Sequence, residues 1–170
     1  MKRKIALFAM AVLVGMLAAA PALAQPDRQS VGLGVSIGAA WPEGKSSEIQ
    51  YDDWSTSFNW GFYVNIPLLW TFHLTPSAEL YRFGDINATD ISLAFKFIVP
   101  AWKLDLFVGV VPGLTTIGDD TLFNIGGLGG VSFNLFSNID AFVQVKYKII
   151  IQEDENKRVL HANAGLLFRF

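Results

Sequence analysis

Apolar and polar residues alternate with a period of two through most of the chain after residue 30. A period of two is typical of β-strands that place one face in apolar and the other in polar surroundings. We find eight such runs, each about as long as the ~9–11 residues of a tilted membrane strand. In chain order the runs cover 31–39, 58–66, 72–81, 90–99, 102–110, 123–135, 139–149 and 160–170. The pattern predicts an all-β protein, an eight-stranded antiparallel up-and-down β-barrel.

The first 24 residues have the composition of a secretory signal peptide. Three basic residues at 2–4 precede an uncharged apolar run at 5–20, and a small-x-small cleavage pattern follows at 22–24. The apolar run is shorter than the ~20 residues that a membrane helix needs. We therefore predict a cleaved signal peptide at 1–24 and a barrel domain at 25–170. Its removal takes three of the 13 basic residues and leaves a net charge of −5.

The composition excludes several classes of protein. Hydrophobic residues make up 52% and charged residues 16%, which excludes an intrinsically disordered chain and a charged coiled coil. The absence of cysteine excludes disulfides and cysteine–zinc sites. A net charge of −2 offers no electrostatic basis for a nucleic-acid partner. The 14 Phe and 5 Trp are more than a small soluble domain hides easily, so part of the surface is expected to face something other than water.

Alternation alone does not show which face points into the barrel. A soluble barrel puts its apolar face inside, and a membrane barrel puts it outside. The apolar face carries roughly five large residues per strand, which would crowd the narrow interior of eight strands. The polar face is rich in glycine, and its charges nearly cancel, as charges that must find buried partners would. We therefore predict a polar interior with a charge network of Glu79, Asp90, Lys96, Lys103, Asp105, Asp140, Lys146, Lys148 and Arg169.

The connections between the runs also alternate in length. Short periplasmic turns opposite longer outer loops are the expected layout of an outer-membrane barrel with both termini in the periplasm. The predicted outer loops are polar and mostly longer, and they cover 41–57, 84–88, 113–122 and 152–157. The predicted periplasmic turns are tight and lie near 67–70, 100–101 and 136–137.

Taken together, these features resemble the small OmpA/OmpX-like outer-membrane β-barrels, over the whole of the mature chain. Leu166, Phe168 and Phe170 alternate at the C-terminus and resemble the terminal strand that the barrel-assembly machinery recognises in that class. The resemblance implies an integral protein of the Gram-negative bacterial outer membrane, exported by its signal peptide. Its expected partners are outer-membrane lipid and lipopolysaccharide, and the assembly machinery during biogenesis. The surface partner is unknown.

The predicted outer loops are strongly acidic. Asp and Glu oxygens suit Ca²⁺ and Mg²⁺, so Asp52, Asp53, Asp119 and Asp120 are weak candidates for cation binding. The alternative is that the acidic residues only keep the loops soluble, and both interpretations stay open. The outer loops and their rim also carry a few basic residues. Of these, Lys45, Arg82 and Arg158 are candidates for contacts with lipid phosphates.

The sequence offers little catalytic chemistry. His73 and His161 are the two histidines, and both fall on the inward face near opposite ends of the barrel. Lipid A deacylases of this size carry a serine two residues after the histidine, whereas here His161 is followed by Ala162 and Asn163. We therefore predict no catalytic residue and no cofactor. The predicted function is a structural or surface-interaction role through the acidic loops. The alternatives are a narrow porin-like channel, a lipid A-modifying enzyme and a soluble periplasmic ligand-binding barrel.

Overall fold

Eight β-strands make up the fold in the computed structural model, which describes residues 30–43, 56–83, 85–101, 103–152 and 156–170. The strands are β1 (Gly32–Glu43), β2 (Ser57–Leu69), β3 (Phe72–Phe83), β4 (Ile86–Ala101), β5 (Leu104–Ile117), β6 (Asp120–Phe136), β7 (Ile139–Ile150) and β8 (Lys157–Arg169). The predicted signal peptide, 1–24, lies outside the described residues. Within the described residues, no helix is long and apolar enough to cross a membrane.

The eight strands close into one barrel. Each strand pairs antiparallel with the next, and β1 also pairs with β8 in an unbroken register from Gly32↔Arg169 to Glu43↔Arg158. In a closed barrel every strand has two neighbours, so the backbone N–H and C=O groups that an edge strand would leave unpaired are hydrogen-bonded. Unpaired backbone groups of this kind are not tolerated in the interior of a membrane. The prediction of an eight-stranded antiparallel barrel is confirmed. We refer to the end where β1 begins and β8 ends as the termini end, and to the opposite end as the loop end.

The two faces of the strands are sorted as the alternation predicts. Charged side chains such as Glu79, Asp90 and Lys146 are buried inside the barrel. Large apolar side chains point outward and are exposed on seven of the eight strands, among them Ile37, Phe62, Ile91, Val110, Phe123, Val143 and Leu166, and the outward residues of β3 are half-buried. A continuous exposed apolar surface of this kind suits a lipid environment rather than water. The arrangement is the opposite of that in a soluble barrel.

Two of the predicted outer loops are wrong. β3 and β4 pair up to Phe83↔Ile86, and β5 and β6 pair up to Ile117↔Asp120. Residues 86–88, 113–117 and 120–122 therefore belong to strands rather than to loops. The predicted loop 113–122 contains Thr115, Thr116 and Thr121, and a β-branched side chain fits a strand well. In the β5–β6 turn Gly118 has a φ of +59°, a left-handed conformation that glycine adopts without steric cost.

Candidate functional site

The interior of the barrel is the best-defined candidate site, because it holds most of the charged side chains that the structure describes. The alternation makes every second residue of each strand point inward. These inward side chains form distinct layers along the barrel axis. From the loop end they are an apolar layer, a layer of ion pairs, a layer with several aromatic rings and a small cavity.

An apolar cap closes the loop end of the interior. It consists of Ala40, Tyr81, Ala88, Ile117, Ile150 and Val159, all 8% exposed or less, with Ile86 and Leu122 packed against them. These residues come from seven of the eight strands. The cap places apolar groups across the lumen at this end of the barrel, and the buried Lys157 of β8 lies next to it, paired with Ile150.

A charge layer lies beneath the cap and is built on two ion pairs. Lys146 in β7 pairs with Glu79 in β3, and both are almost completely buried. In an eight-stranded barrel β3 and β7 face each other, so this pair spans the lumen. Lys148 lies 2.5 Å from Asp90 of β4, which forms the second pair.

Neutral side chains also donate hydrogen bonds to both carboxylates. Tyr63 and Asn163 donate hydrogen bonds to Glu79, the latter at 2.8 Å. Thr115 and Asn124 donate to Asp90 at 2.9 and 3.1 Å. Charge-assisted hydrogen bonds of this kind offset part of the cost of burying an ion. The predicted charge network did not include these neutral partners, although their inward parity could have identified them.

His161 joins the charge layer to the apolar cap. Its Nδ1 accepts a hydrogen bond from Asn59 Nδ2 at 2.8 Å, and Asn59 also donates to Asn163. The His161 ring meets the Tyr81 ring edge-on, with centroids 4.8 Å apart. His73 lies near the termini end instead, where its Nδ1 accepts from Asn65 Nδ2 at 2.9 Å. Within the described ranges, no group of three His, Asp or Glu side chains could hold a metal ion.

An aromatic layer fills the lumen toward the termini end. Its buried members are Tyr63, Ala94, Phe107, Val111, Leu128 and Phe142. Two glycines make room for the rings. A Cβ at Gly130 would lie 2.5 Å from the Phe107 ring, and one at Gly165 would lie 2.5 Å from the Phe142 ring. An added Cβ at either glycine would also clash with a backbone oxygen of the neighbouring strand, so a side chain would require the backbone as well as the ring to shift.

Beyond the aromatic layer lies a small cavity of about 60 Å³ at the termini end, which we call the terminal cavity. Tyr63, Phe107 and Phe142 line it on the side of the aromatic layer. Its polar wall includes Asn65, His73, Thr75, Lys96, Asp105, Ser132, Asp140 and Arg169. Arg169 forms an ion pair with Asp140 across β7 and β8.

The structure brings together most of the predicted charge network, but in two separate groups. Glu79, Asp90, Lys146 and Lys148 form the charge layer, and Lys96, Asp105, Asp140 and Arg169 line the terminal cavity. Lys103 differs from the prediction. It is exposed and lies in the turn before β5, because that strand begins only at Leu104.

The remaining candidate residues lie on the outside or at the ends of the barrel. Arg82 and Arg158 are exposed near the loop end, and Arg82 donates to Asn87 Oδ1 at 3.2 Å. Asp119 and Asp120 are exposed at the β5–β6 turn. Leu166, Phe168 and Phe170 point outward at the end of the chain. Lys45, Asp52 and Asp53 lie outside the described residues.

The closed barrel, its apolar exterior and its charged interior define the fold of the OmpA/OmpX-like outer-membrane β-barrels. Neisserial surface protein A is similar over 82% of this chain and 97% of its own, with a TM-score of 0.69 and 15% identity. The outer membrane protein OprG of Pseudomonas aeruginosa covers 84% of this chain and 97% of its own, with a TM-score of 0.57 and 11% identity.

A third similar structure is Ail, the attachment invasion locus protein of Yersinia pestis. It covers 83% of this chain and 99% of its own, with a TM-score of 0.51 and 15% identity. No protein-family model and no curated protein sequence matches the chain. Identities this low establish a shared fold and do not transfer a function.

Proposed function

We propose that the protein is a non-enzymatic, non-conducting barrel of the bacterial outer membrane with a structural or surface-interaction role. The observation that carries this proposal is the filled interior. The apolar cap and the charge layer occupy successive levels of the lumen. With the interior occupied in this way, the loops and the outer rim are the parts left to meet other molecules, as is usual for loops held on a rigid scaffold.

The channel alternative is disfavoured by the same layers. A hydrated ion moving along the axis would have to separate the Glu79–Lys146 pair, which spans the lumen. Breaking a buried pair without replacing its interactions costs several kcal/mol. The ion would then meet the apolar cap, where the Tyr81 hydroxyl is the polar side-chain group among the cap residues and cannot by itself replace a hydration shell. We therefore propose that the barrel does not conduct.

A lipid A-modifying activity is also disfavoured. A histidine that acts as a general base needs a nucleophile within hydrogen-bond reach. Among the described residues, the hydrogen bond of His161 goes to Asn59, and its ring packs on Tyr81. We propose a structural role for His161 at the boundary between the charge layer and the apolar cap.

The loop end is where we propose contacts with the surroundings. Arg82 and Arg158 are exposed near the loop end, and we propose that their guanidinium groups contact lipid phosphates. The acidic loop residues, including Asp119 and Asp120, remain candidates for a surface partner or for cations that bridge lipopolysaccharide. The termini end then faces the periplasm, and the signal peptide directs export.

Conductance tests the proposed function directly. We expect the refolded mature chain, 25–170, to give no steady single-channel openings in a planar bilayer, because the charge layer and the apolar cap leave no continuous water path. Circular dichroism of the refolded protein, measured before it is added to the bilayer, must show β-structure. A known porin in the same bilayer serves as the positive control. Steady openings from folded protein would contradict the proposal and favour a channel.

The C-terminal residue offers a test of assembly. Phe170 is 78% exposed, and its backbone N–H donates to Val31 O at 2.9 Å. We expect Phe170→Ser to lower the amount of folded barrel in the outer membrane of cells while leaving refolding into detergent unchanged, since the backbone bond is retained. Phe136, 66% exposed at the same end, supplies the matched control Phe136→Ser. Equal losses in cells from both variants would show that Phe170 carries no special signal.

A further inference from the structure

We propose that the terminal cavity is a binding site for a small monovalent anion, held between Lys96 and His73. Halides and small carboxylates such as formate are the ligand class that the site fits. The inference concerns the inside of the barrel at the termini end, and it is independent of any role of the loops.

Lys96 is the buried lysine at the terminal cavity, whereas Lys157, which is also buried, lies at the loop end of β8. Lys146 and Lys148 each form an ion pair, whereas no ion pair joins Lys96 to a carboxylate among the described residues. Its ammonium instead lies 5.0 Å from the centre of the Phe107 ring and 6.0 Å from that of Tyr63. Cation–π contacts compensate only part of the hydration that a buried ammonium loses. The group therefore retains capacity for an anionic partner.

His73 supplies a second donor next to Lys96. The two residues lie directly opposite each other on β4 and β3, and both face the cavity. Directly paired residues have Cβ atoms about 4.5–5.5 Å apart. The Nδ1 of His73 accepts from Asn65 Nδ2, so the neutral ring carries its proton on Nε2. Thr75 donates to Asn65 Oδ1 at 3.2 Å and thereby orients that amide. A residue with an N–H group and a residue with an ammonium are thus neighbours on β3 and β4, and both line the cavity.

The carboxylates of the cavity lie on other strands. Asp140 of β7 is held by Arg169 and by Asn134, whose Nδ2 donates to it at 3.0 Å. Asp105 lies on β5, within two residues of the strand's start at Leu104. Asp105 is on the strand next to β4, and the guanidinium of Arg169 is paired with Asp140, so the β3–β4 wall carries an ammonium and no carboxylate of its own. An anion is expected to bind against that wall.

The volume of the cavity limits the size of the ligand. A water molecule needs roughly 10–15 Å³ of cavity volume, so about 60 Å³ accommodates one small anion with one or two waters. Sugars, nucleotides and acyl chains are too large. Access is from the termini end, because Asp140 and Arg169 line the cavity and lie within two residues of the strand ends there.

The two histidines provide the experiment, since one lies at the site and the other does not. The mature chain is labelled with ¹⁵N-histidine, refolded in nanodiscs of uncharged lipid and kept at constant ionic strength with sodium gluconate, which is too large for the cavity. Chloride, and separately formate, is then titrated against gluconate. We expect a saturable shift of the His73 ring nitrogens and no shift of those of His161. Lys96→Met should abolish the saturable shift.

The Lys96→Met variant is expected to fold, because no carboxylate loses its partner when this ammonium is removed. Chloride should raise the thermal midpoint of the wild type relative to gluconate and should leave that of Lys96→Met unchanged, since a ligand stabilises only the state that binds it. The proposal is overturned if the His73 ring nitrogens of the wild type do not shift when chloride or formate is added. It is also overturned if their shift rises linearly with the anion concentration and equals that of the His161 ring nitrogens. It is also overturned if Lys96→Met retains the saturable response.

Discussion

Lys146→Met is expected to lower the free energy of unfolding of the refolded barrel by about 3–5 kcal/mol. The substitution removes the cation that faces Glu79 across the lumen and leaves a carboxylate buried without its counter-charge. Tyr63 and Asn163 continue to donate to that carboxylate, but neutral donors replace only part of the lost interaction. Urea titration in lipid vesicles, followed by tryptophan fluorescence, measures the loss.

Two matched variants separate the ion pair from the loss of a lysine. Lys96→Met removes an interior ammonium that has no carboxylate partner among the described residues, and it should cost little or nothing. The double variant Glu79→Leu with Lys146→Met should recover most of the loss, since a buried pair replaced by apolar groups is often neutral. If Lys146→Met and Lys96→Met have equal effects, the Glu79–Lys146 pair is not what stabilises the lumen.

Val145→Arg is expected to destabilise the membrane-inserted barrel by about 2–4 kcal/mol. Val145 lies in the middle of β7, points outward and is 47% exposed. An arginine there would place its charge near the centre of the bilayer, where water cannot solvate it. The same urea titration in vesicles gives the change in free energy.

Leu135→Arg is the matched control for position in the bilayer. Leu135 is 44% exposed and also points outward, but it lies next to the end of β6. A charge at this depth reaches the interface and should cost only about 0–1 kcal/mol. A large difference between the two variants would locate the apolar belt in lipid. Equal costs would contradict a membrane-embedded exterior.

The outer surface, the charge layer and the apolar cap contribute to the stability of the barrel in different ways. The outward apolar residues provide the surface that lipid solvates, and the ion pairs hold opposite walls together. The apolar cap keeps water away from the charge layer, which strengthens the electrostatic interactions inside it. A rigid barrel of this kind presents its loop end in a defined geometry, which is what a surface-interaction role requires.

Strand ends were the least predictable part of the fold. At 149–151 three isoleucines follow one another, so both faces of β7 are apolar near the loop end. Ile150 turns inward there and joins the cap. The alternation that identifies a strand is lost where both faces are apolar, and the cap was therefore missed. Consecutive apolar residues at several strand ends were the signal that could have revealed it.

The period of two determined the number of strands, the all-β fold and the face on which each mid-strand residue lies. These features are local, because successive side chains on a strand point to opposite sides whatever the rest of the chain does. Local pattern also placed Glu79, Asp90, Lys146 and Lys148 inside the barrel.

Only the tertiary structure decided which of these charges meet. Glu79 pairs with Lys146 because closure puts β3 opposite β7 and because the register sets both at one height. The same register places Lys96 beside His73, away from those carboxylates. Strand alternation carries no information on height or on the partner across the lumen. Both depend on pairings between residues distant in sequence, and they become defined when the barrel closes.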